Sequence, residues 1–460
     1  MTPAAESAIA FGRSSVEGAP HVVVIGAGFT GLAAAYQLTR MGIRATVLEP
    51  DAEVGGLAGC FDVGGERLEK FYHHWFVTDS HITDLVRELG CDRDVIHRPT
   101  RTGMYFANNF FNLSAPLDVL KFKPLKHVDR VRLAALVLRA RRVNDFNQLE
   151  SLTARDWLTK LGGRAVYKVI WEPLLRGKFG AHADDISAVW IWNKLKLRGG
   201  SRDGRGKEVL AYYRGGFAAL ARRVANEIAD KGGQIQTGVG ARGLLVNGNR
   251  VTGVKTTRGV IEADAVIATP ALPIIADLLR PHVGADYAAE LCRIEYLANL
   301  CVVLELDRSL SEIYWLNVND PSFPFVGVIE HTNFEPAGTY GGRHVVYLSK
   351  YLADSDPLYA LSDAQMLEFA LPHLQRMFPA FSCSWVLAAH VWRARNAQPI
   401  VKRGYRELIP AEDTPVKGFH IASMAQIYPE DRGTNYAVRE GRAIARTVGE
   451  QLRHLHRATA

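Results

Sequence analysis

The chemistry-bearing residues of the N-terminal hundred are three glycines, Gly26, Gly28 and Gly31, an acid, Glu49, and two adjacent histidines, His73 and His74. The glycines spell G-x-G-x-x-G after the apolar run 21–25, HVVVI, and before a run, 32–41, with the pattern of a helix. Each glycine has its own task. Gly26 makes a tight turn, Gly28 leaves room for a pyrophosphate against backbone N–H groups at a helix start, and Gly31 lets helix and strand approach. A second strand, 44–48, runs into Glu49, 18 residues past Gly31, where a carboxylate accepts from ribose hydroxyls. An acid there repels a 2′-phosphate, so the adenosine is not that of NADP. The motif alone is equally an ordinary turn; between strand and helix, and followed by its acid, it reads as a dinucleotide site.

Several later segments are placed to build the sheet this site needs. A strand is expected at 234–237, another within IEADAVIATP (261–270), and a third at 418–422, the start of GFHIASMAQIYPEDRGTNYAVREGRAIARTV. That last segment ends in a helix beginning near Thr434 and Asn435, whose N–H groups can meet negative charge. Gly238, Gly240 and Gly243 repeat the G-x-G-x-x-G spacing, but a hairpin follows them, LLVNGNRVTGVKT with its turn at Asn247-Gly248, so no helix start is available for a phosphate. Between these pieces, 101–113 reads as a hairpin turning at 107–109, and 296–350 is rich in strands.

The chain has 460 residues, which at about 110–150 residues per domain predicts two or three domains. Its hydrophobic content of 48% is that of an ordinary globular protein. Residues 1–20 lack the apolar core of a signal peptide and read as a loose leader; no stretch reaches the ~18 apolar residues of a spanning helix. The five cysteines are scattered and form no C-x-x-C pair, so neither a disulfide framework nor a metal site is expected. These features place the protein in the cytoplasm, or peripherally on the inner face of a membrane.

The net charge of +7 is uneven: residues 111–214 hold 21 Lys and Arg against 10 Asp and Glu, leaving −4 for the rest. This is either a solvated surface or an attraction to an anionic partner, acidic lipid or a phosphorylated substrate, and not nucleic acid. The run 114–143, with Lys121, Lys123, Lys126, Arg130, Arg132, Arg139, Arg141 and Arg142, reads equally as an interfacial basic amphipathic helix and as a domain-surface helix.

Three motifs carry a family resemblance: LEPDAEVGGLAG, with Gly55 and Gly56 six and seven residues beyond Glu49; WEPLLRGKFG at 171–180; and the closing 418–448 segment. From His21 to Glu450 the chain resembles the amine oxidase, protoporphyrinogen oxidase and phytoene desaturase superfamily of FAD proteins, with a more distant likeness to UDP-galactopyranose mutase. The resemblance implies an α/β architecture. A Rossmann-like FAD-binding domain of glutathione-reductase type is assembled from 21–100, 215–280 and 401–460, with an inserted α+β substrate domain in two parts, 101–214 and 281–400. It implies FAD contacts at Gly26, Gly28, Phe29, Thr30, Gly31, Glu49, Gly55, Gly56, Leu57, Val239, Thr269, Arg432, Thr434 and Asn435. One departure from the family is clear: Ser423-Met424 replaces the usual Gly-Asp, leaving Arg432 for the phosphate or ribityl region.

His73 or His74 is expected to face the flavin, and Tyr428 joins them as a catalytic candidate. Tyr105, Arg176 and Lys178 are candidate substrate contacts, whereas Trp171, Trp190 and Trp192 read as core. Glu330, His331 and Asn333, ending an apolar strand, either turn the chain or line a pocket, the second being favoured. The expected reaction is hydride transfer from a C–H bond of an apolar, isoprenoid or polycyclic, small-molecule substrate to flavin N5, with reoxidation by O2 or a quinone. The alternatives are a redox-neutral mutase or isomerase acting on a phosphorylated or nucleotide-sugar substrate, and a flavin-binding protein without catalysis.

Overall fold

The strand His21–Ile25 is apolar and almost wholly buried because it is paired on both sides. It lies at the centre of a five-stranded parallel sheet in the order Gln234–Thr237, Arg44–Glu49, His21–Ile25, Ala265–Ala268, Phe419–Ile421. Strands remote in sequence thus share one sheet, as a doubly wound fold requires. The computed structural model describes residues 19–112, 118, 121–201 and 208–459. Most of the expected leader (1–18), part of the basic run (114–117, 119–120) and residues 202–207 of the basic 111–214 segment lie outside the described residues.

Helices Phe29–Arg40, Gly216–Asp230 and Thr434–Thr459 pack together beside this sheet, contributing Leu32, Ala35, Leu220, Val224, Val438 and Ile444 to one core. The first and last cross closely at Gly441, where a Cβ would stand 2.2 Å from the carbonyl oxygen of Thr30 and 3.0 Å from Cβ of Ala33. The repeated glycine motif at 238–243 leads into the antiparallel strands Ala241–Asn247 and Arg250–Thr256, so no helix follows it.

A second, seven-stranded sheet runs in the order Val386–Pro399, Tyr296–Leu306, His344–Leu352, Gly327–Glu330, Trp315–Val318, Thr102–Phe106, Asn109–Asn112. All pairs are antiparallel except Trp315–Val318 with Thr102–Phe106. The hairpin turn falls at Ala107 and Asn108, both with positive φ. The strand Tyr296–Leu306 is buried on both faces, which explains its continuous apolar run. Leu300, Val302 and Leu304 pack with Met366, Ala370 and Leu374 of the helix Asp363–Met377, while Cys301 and Val303 join the core of the nucleotide-binding part.

Residues 127–200 supply a helical layer, including His127–Arg141, Ala154–Gly162, Glu172–Phe179 and Ala188–Gly200. Trp190 and Trp192 are buried within it. The helix His127–Arg141 is not amphipathic: Leu133, Leu136 and Ala140 face inward, but Val128, Val131 and Leu138 are more than half exposed among its basic residues. Among the described residues, no helix is long and apolar enough to cross a membrane.

Replacing Gly441 by Ala tests the helix crossing. In an isolated helix this exchange gains about 1 kcal/mol of helix propensity, but overpacking at a close contact costs typically ~1–3 kcal/mol and occasionally more. With a methyl aimed 2.2 Å from Thr30 O, the overpacking wins. We expect a lower midpoint in equilibrium urea unfolding; an unchanged or raised midpoint would show that the crossing is loose.

Candidate active site

The turn after the first strand is shaped by two backbone demands. Gly26 has a φ of +99°, and Gly31 lies so close to it that a Cβ on Gly31 would stand 1.9 Å from Gly26 O. The turn is tied down by Thr269, whose Oγ1 donates to Ile25 O at 2.8 Å. A Cβ on Gly28, by contrast, would meet nothing nearer than 4.0 Å, where Gly56 Cα lies. The helix Phe29–Arg40 starts at this opening without a side-chain cap, so its first N–H groups are available to an anion. Gly55 N donates to Ala27 O at 2.9 Å, closing the opposite wall, with Leu57 in the turn Gly56–Ala58 beyond it.

Glu49 is buried, which raises its carboxyl pKa. Its Oε2 accepts from Ala27 N at 2.8 Å and its Oε1 from Asp51 N at 3.1 Å. Val239, also buried, donates its N–H to Glu49 O at 2.9 Å. An open backbone cradle, an uncapped helix start and an adjacent carboxylate suit the pyrophosphate and ribose of FAD.

At the far end of the nucleotide sheet, the loop 423–433 meets the helical layer and the second sheet. Asp431 is buried; its Oδ2 lies 2.6 Å from Lys194 Nζ and 3.7 Å from Lys178 Nζ, and its Oδ1 accepts from Gln398 Nε2 at 3.2 Å. Burial opposes its charge, but Lys194, Lys178 and Arg432 outweigh burial and hold the carboxyl far below the usual range. Lys178 is enclosed by Trp190, Tyr351 and Phe179, with ring centroids at 4.8, 5.2 and 5.5 Å. Burial, aided by Lys194 and Arg432 and opposed by Asp431, lowers its pKa to about 7. Arg432 donates from Nη2 to Tyr351 Oη at 3.1 Å.

The neighbouring face of the sheet carries uncharged polar groups. Tyr72 Oη and Asn299 Nδ2 both donate to Ser349 Oγ, at 3.3 and 3.1 Å. Arg432 Nε, Asn299 Oδ1 and Gln398 Oε1 are shielded from solvent with no protein partner. Such atoms are rare in a folded protein and point to a bound group. Tyr72, His73 and Lys178 are partly buried beside these groups. These observations fit a flavin and substrate held at this junction.

The two histidines diverge. His73 Nδ1 lies 2.6 Å from Phe71 O and its ring packs on Phe217; burial lowers its pKa to about 4 and keeps it neutral. His74 Nδ1 lies 3.0 Å from Tyr314 Oη, with its ring against Phe76, Tyr314 and Trp315. Phe29 faces Phe217, Thr30 lies at the Gly441 crossing, and Asn435 Oδ1 accepts from Ile82 N at 3.1 Å just after Thr434 opens the closing helix.

Other expected residues are not brought to this junction by any contact described. Glu330 braces a loop, accepting from the backbone N–H groups of Leu310 and Ser311 at 3.0 and 2.8 Å, and Asn333 donates to Ser311 O and Ile313 O. His331, kept neutral by burial at about 3, bonds to Tyr340 Oη at 2.8 Å. Of the two readings of this trio, its contacts follow the chain turn. Arg176 lies half exposed between Glu172 and Asp184. Tyr105 packs among Phe110 and Phe323, and Tyr428 donates to Glu150 Oε2 at 2.7 Å.

Sequence reasoning passed over Asn299, Tyr351, Gln398, Lys194 and Asp431. Asn299 left a signal, as one of two polar residues, with Glu305, within the otherwise apolar run LANLCVVLEL; the others had none stronger than their type. Among the described residues no cluster of His, Cys, Asp or Glu is fit for a metal ion.

A family model described as flavin containing amine oxidoreductase matches residues 29–449. Zeta-carotene desaturase of Arabidopsis thaliana is 22% identical over 490 aligned positions, covering 95% of this chain and 87% of that protein. A candidate protoporphyrinogen oxidase from Exiguobacterium sp. 255-15 superposes with a TM-score of 0.75 at 19% identity, over 96% of this chain and 100% of that one. Reduced UDP-galactopyranose mutase superposes with a TM-score of 0.73 at 14% identity, over 93% of each chain. At these identities the two structures speak for the fold alone.

Glu69 links the two halves: its Oε2 accepts from Tyr212 Oη at 2.8 Å, its Oε1 from Phe217 N, and its backbone oxygen from Tyr347 Oη at 2.7 Å. Burial raises its pKa from 4.5 to about 7. Because the folded value lies above the unfolded one, its contribution to stability is complete below about pH 4.5 and is lost as pH rises through about 7. Glu69→Gln keeps an acceptor for Phe217 N–H and should flatten this dependence by up to roughly 3 kcal/mol. Urea unfolding at acid and at mildly alkaline pH measures it; an unaltered pH slope would contradict the assignment.

Proposed function

Because the chain belongs to the flavin-containing amine oxidoreductase family, we propose that it is an FAD-dependent oxidase or desaturase acting on a C–H bond of a largely apolar, isoprenoid or polycyclic substrate. The reading rests on one observation: Asn299, Ser349 and Tyr351 on the second sheet, Tyr72 bonded to Ser349, and Trp190 on the helical layer, packed on Lys178, come together beside the loop 423–433, whose Arg432 donates to Tyr351. The name of the Arabidopsis relative supports desaturation of an isoprenoid.

FAD, when bound, supplies the hydride-accepting N5. The chain's own part is to hold and orient. Gly26, Gly28, Phe29, Thr30, Gly31, Gly55, Gly56 and Leu57 form the phosphate cradle, Glu49 receives the ribose, and Val239 and Thr269 close its sides. Arg432, Thr434 and Asn435 bring positive charge and a helix start to the other end, where they would hold the flavin and favour negative charge on it. His73 donates from Nδ1 to Phe71 O, so Nε2 is a neutral acceptor that orients rather than protonates. His74 and Tyr428 act through the neighbours they hold. The aromatic walls exclude water, and an apolar substrate presents its reacting carbon there without desolvation cost.

The exposed Val128, Val131 and Leu138, among the basic residues of their helix, suit peripheral contact with an anionic membrane from which such a substrate is taken. Flotation with acidic liposomes should be reduced by replacing all three with Ser; equal flotation would remove this contact.

The purified protein is expected to be yellow, to bleach anaerobically with substrate, and to recover in air or with a quinone. Turnover that needs prior dithionite and consumes no acceptor would replace this reading by a redox-neutral isomerase. Glu49→Lys should weaken FAD retention roughly 10- to 100-fold through the lost charge-assisted hydrogen bonds, measured by flavin absorbance after gel filtration.

A further inference from the structure

We propose that the substrate carries an anionic oxygen group, a carboxylate or a phosphate, seated on Lys178, with Lys194 and the flavin-side Arg432 adding positive charge beside it. This rests on the flavoenzyme reading and narrows its substrate to an amphiphile, apolar along the reacting part and charged at one end.

The argument is one of charge and of unmet donors. Three cations, Lys178, Lys194 and Arg432, gather around one carboxylate, Asp431. Asp431 holds Lys194 at 2.6 Å and Gln398 at 3.2 Å and pairs with Lys178 at the longer distance of 3.7 Å, so this one contact leaves N–H groups of the Lys178 ammonium for another acceptor. Arg432 donates one N–H to a neutral phenol, Tyr351, a bond that leaves its positive charge in place; its shielded Nε is left to the flavin assigned above. Asp79, the other acid that senses Lys194, accepts from Phe76 N and is lifted by burial to about 6. Above about pH 6 Asp79 is ionised as well, so three cations face two carboxylates, and an entering anion balances the remaining positive charge.

The rings of Trp190, Phe179 and Tyr351 prevent the Lys178 stem from escaping to water and hold its ammonium at this junction. An anion that enters replaces the missing acceptors with charge-assisted hydrogen bonds. The pyrophosphate of FAD has its own cradle at Gly28 and Gly55, built from other segments of the chain.

The groups acting on Lys178 are Asp431 and Arg432 from the loop and Lys194 from the adjoining helix, with Tyr351 facing it from the sheet. Its pKa of about 7 adds a pH signature. Protonated Lys178 binds the anion and neutral Lys178 does not, so affinity falls as pH rises through about 7.

The test uses the FAD-loaded protein and two anions whose charge stays fixed across neutral pH, sulfate for phosphate and benzoate for carboxylate, followed by flavin difference spectra between pH 6 and 9. Tighter binding of one of them identifies the group. Lys178→Met should weaken the preferred anion by about 10- to 100-fold at pH 6 with FAD retained. Lys178→Arg should keep the affinity and abolish its pH dependence. If Lys178→Met binds the anions like the parent, or if neither anion binds the FAD-loaded parent, the inference fails and the flavoenzyme reading stands. If Lys178→Met loses FAD instead, the cations serve the cofactor and the inference also fails. A parent protein that takes up no FAD sinks the flavoenzyme reading and this inference together.

Discussion

The absence of a side chain at Gly31 is the constraint on which the rest of the molecule depends. Any Cβ there would collide with Gly26 O, pushing the helix Phe29–Arg40 off the strand that precedes it. With hydrogen in its place, the helix start stays against the turn, its uncapped N–H groups face the opening at Gly28, and the carboxylate of Glu49 closes on Ala27 N. The candidate dinucleotide cradle is therefore a consequence of one close approach between backbone atoms, to which Glu49 adds a side-chain charge.

A second close approach, at Gly441, carries that constraint across the chain. It lets the closing helix lie on the first one, and this fixes where the preceding loop emerges. Asp431 and Arg432 are on that loop, so the crossing of two helices decides which charges face the second sheet. Lys178 and Lys194 approach from helices inserted between the first and later strands of the nucleotide sheet. The candidate site is thus an interface among three layers rather than a property of any one of them, which is where ligand sites commonly occur.

The electrostatics of this interface differ from those of the surface. Arg176 and Lys178 sit on one helix two residues apart, yet the first is half exposed beside Glu172 and Asp184 and the second is enclosed by rings. Exposed pairs of the first kind contribute little to stability. In the enclosed cluster burial and the neighbouring charges move the protonation of Lys178 and Asp431 strongly, because little water screens them. Glu69 shows the opposite outcome, a buried carboxyl with no cation close by, held near neutrality by burial.

The strand, turn and helix around Gly26 to Gly31, the hairpin after 238–243 and the flavoprotein family were legible from local order, because each depends on neighbours in sequence. Tertiary packing alone decided the rest. Glu330 and Asn333, polar at a strand end, are as compatible with a loop brace as with a pocket, and only the position of 309–313 distinguishes the two. Asp431, Lys194, Gln398 and Asn299 come from four distant segments, and none announces the others. Sequence patterns report which face of an element is apolar; which polar groups meet, and at what cost in lost solvation, depends on how those faces are stacked.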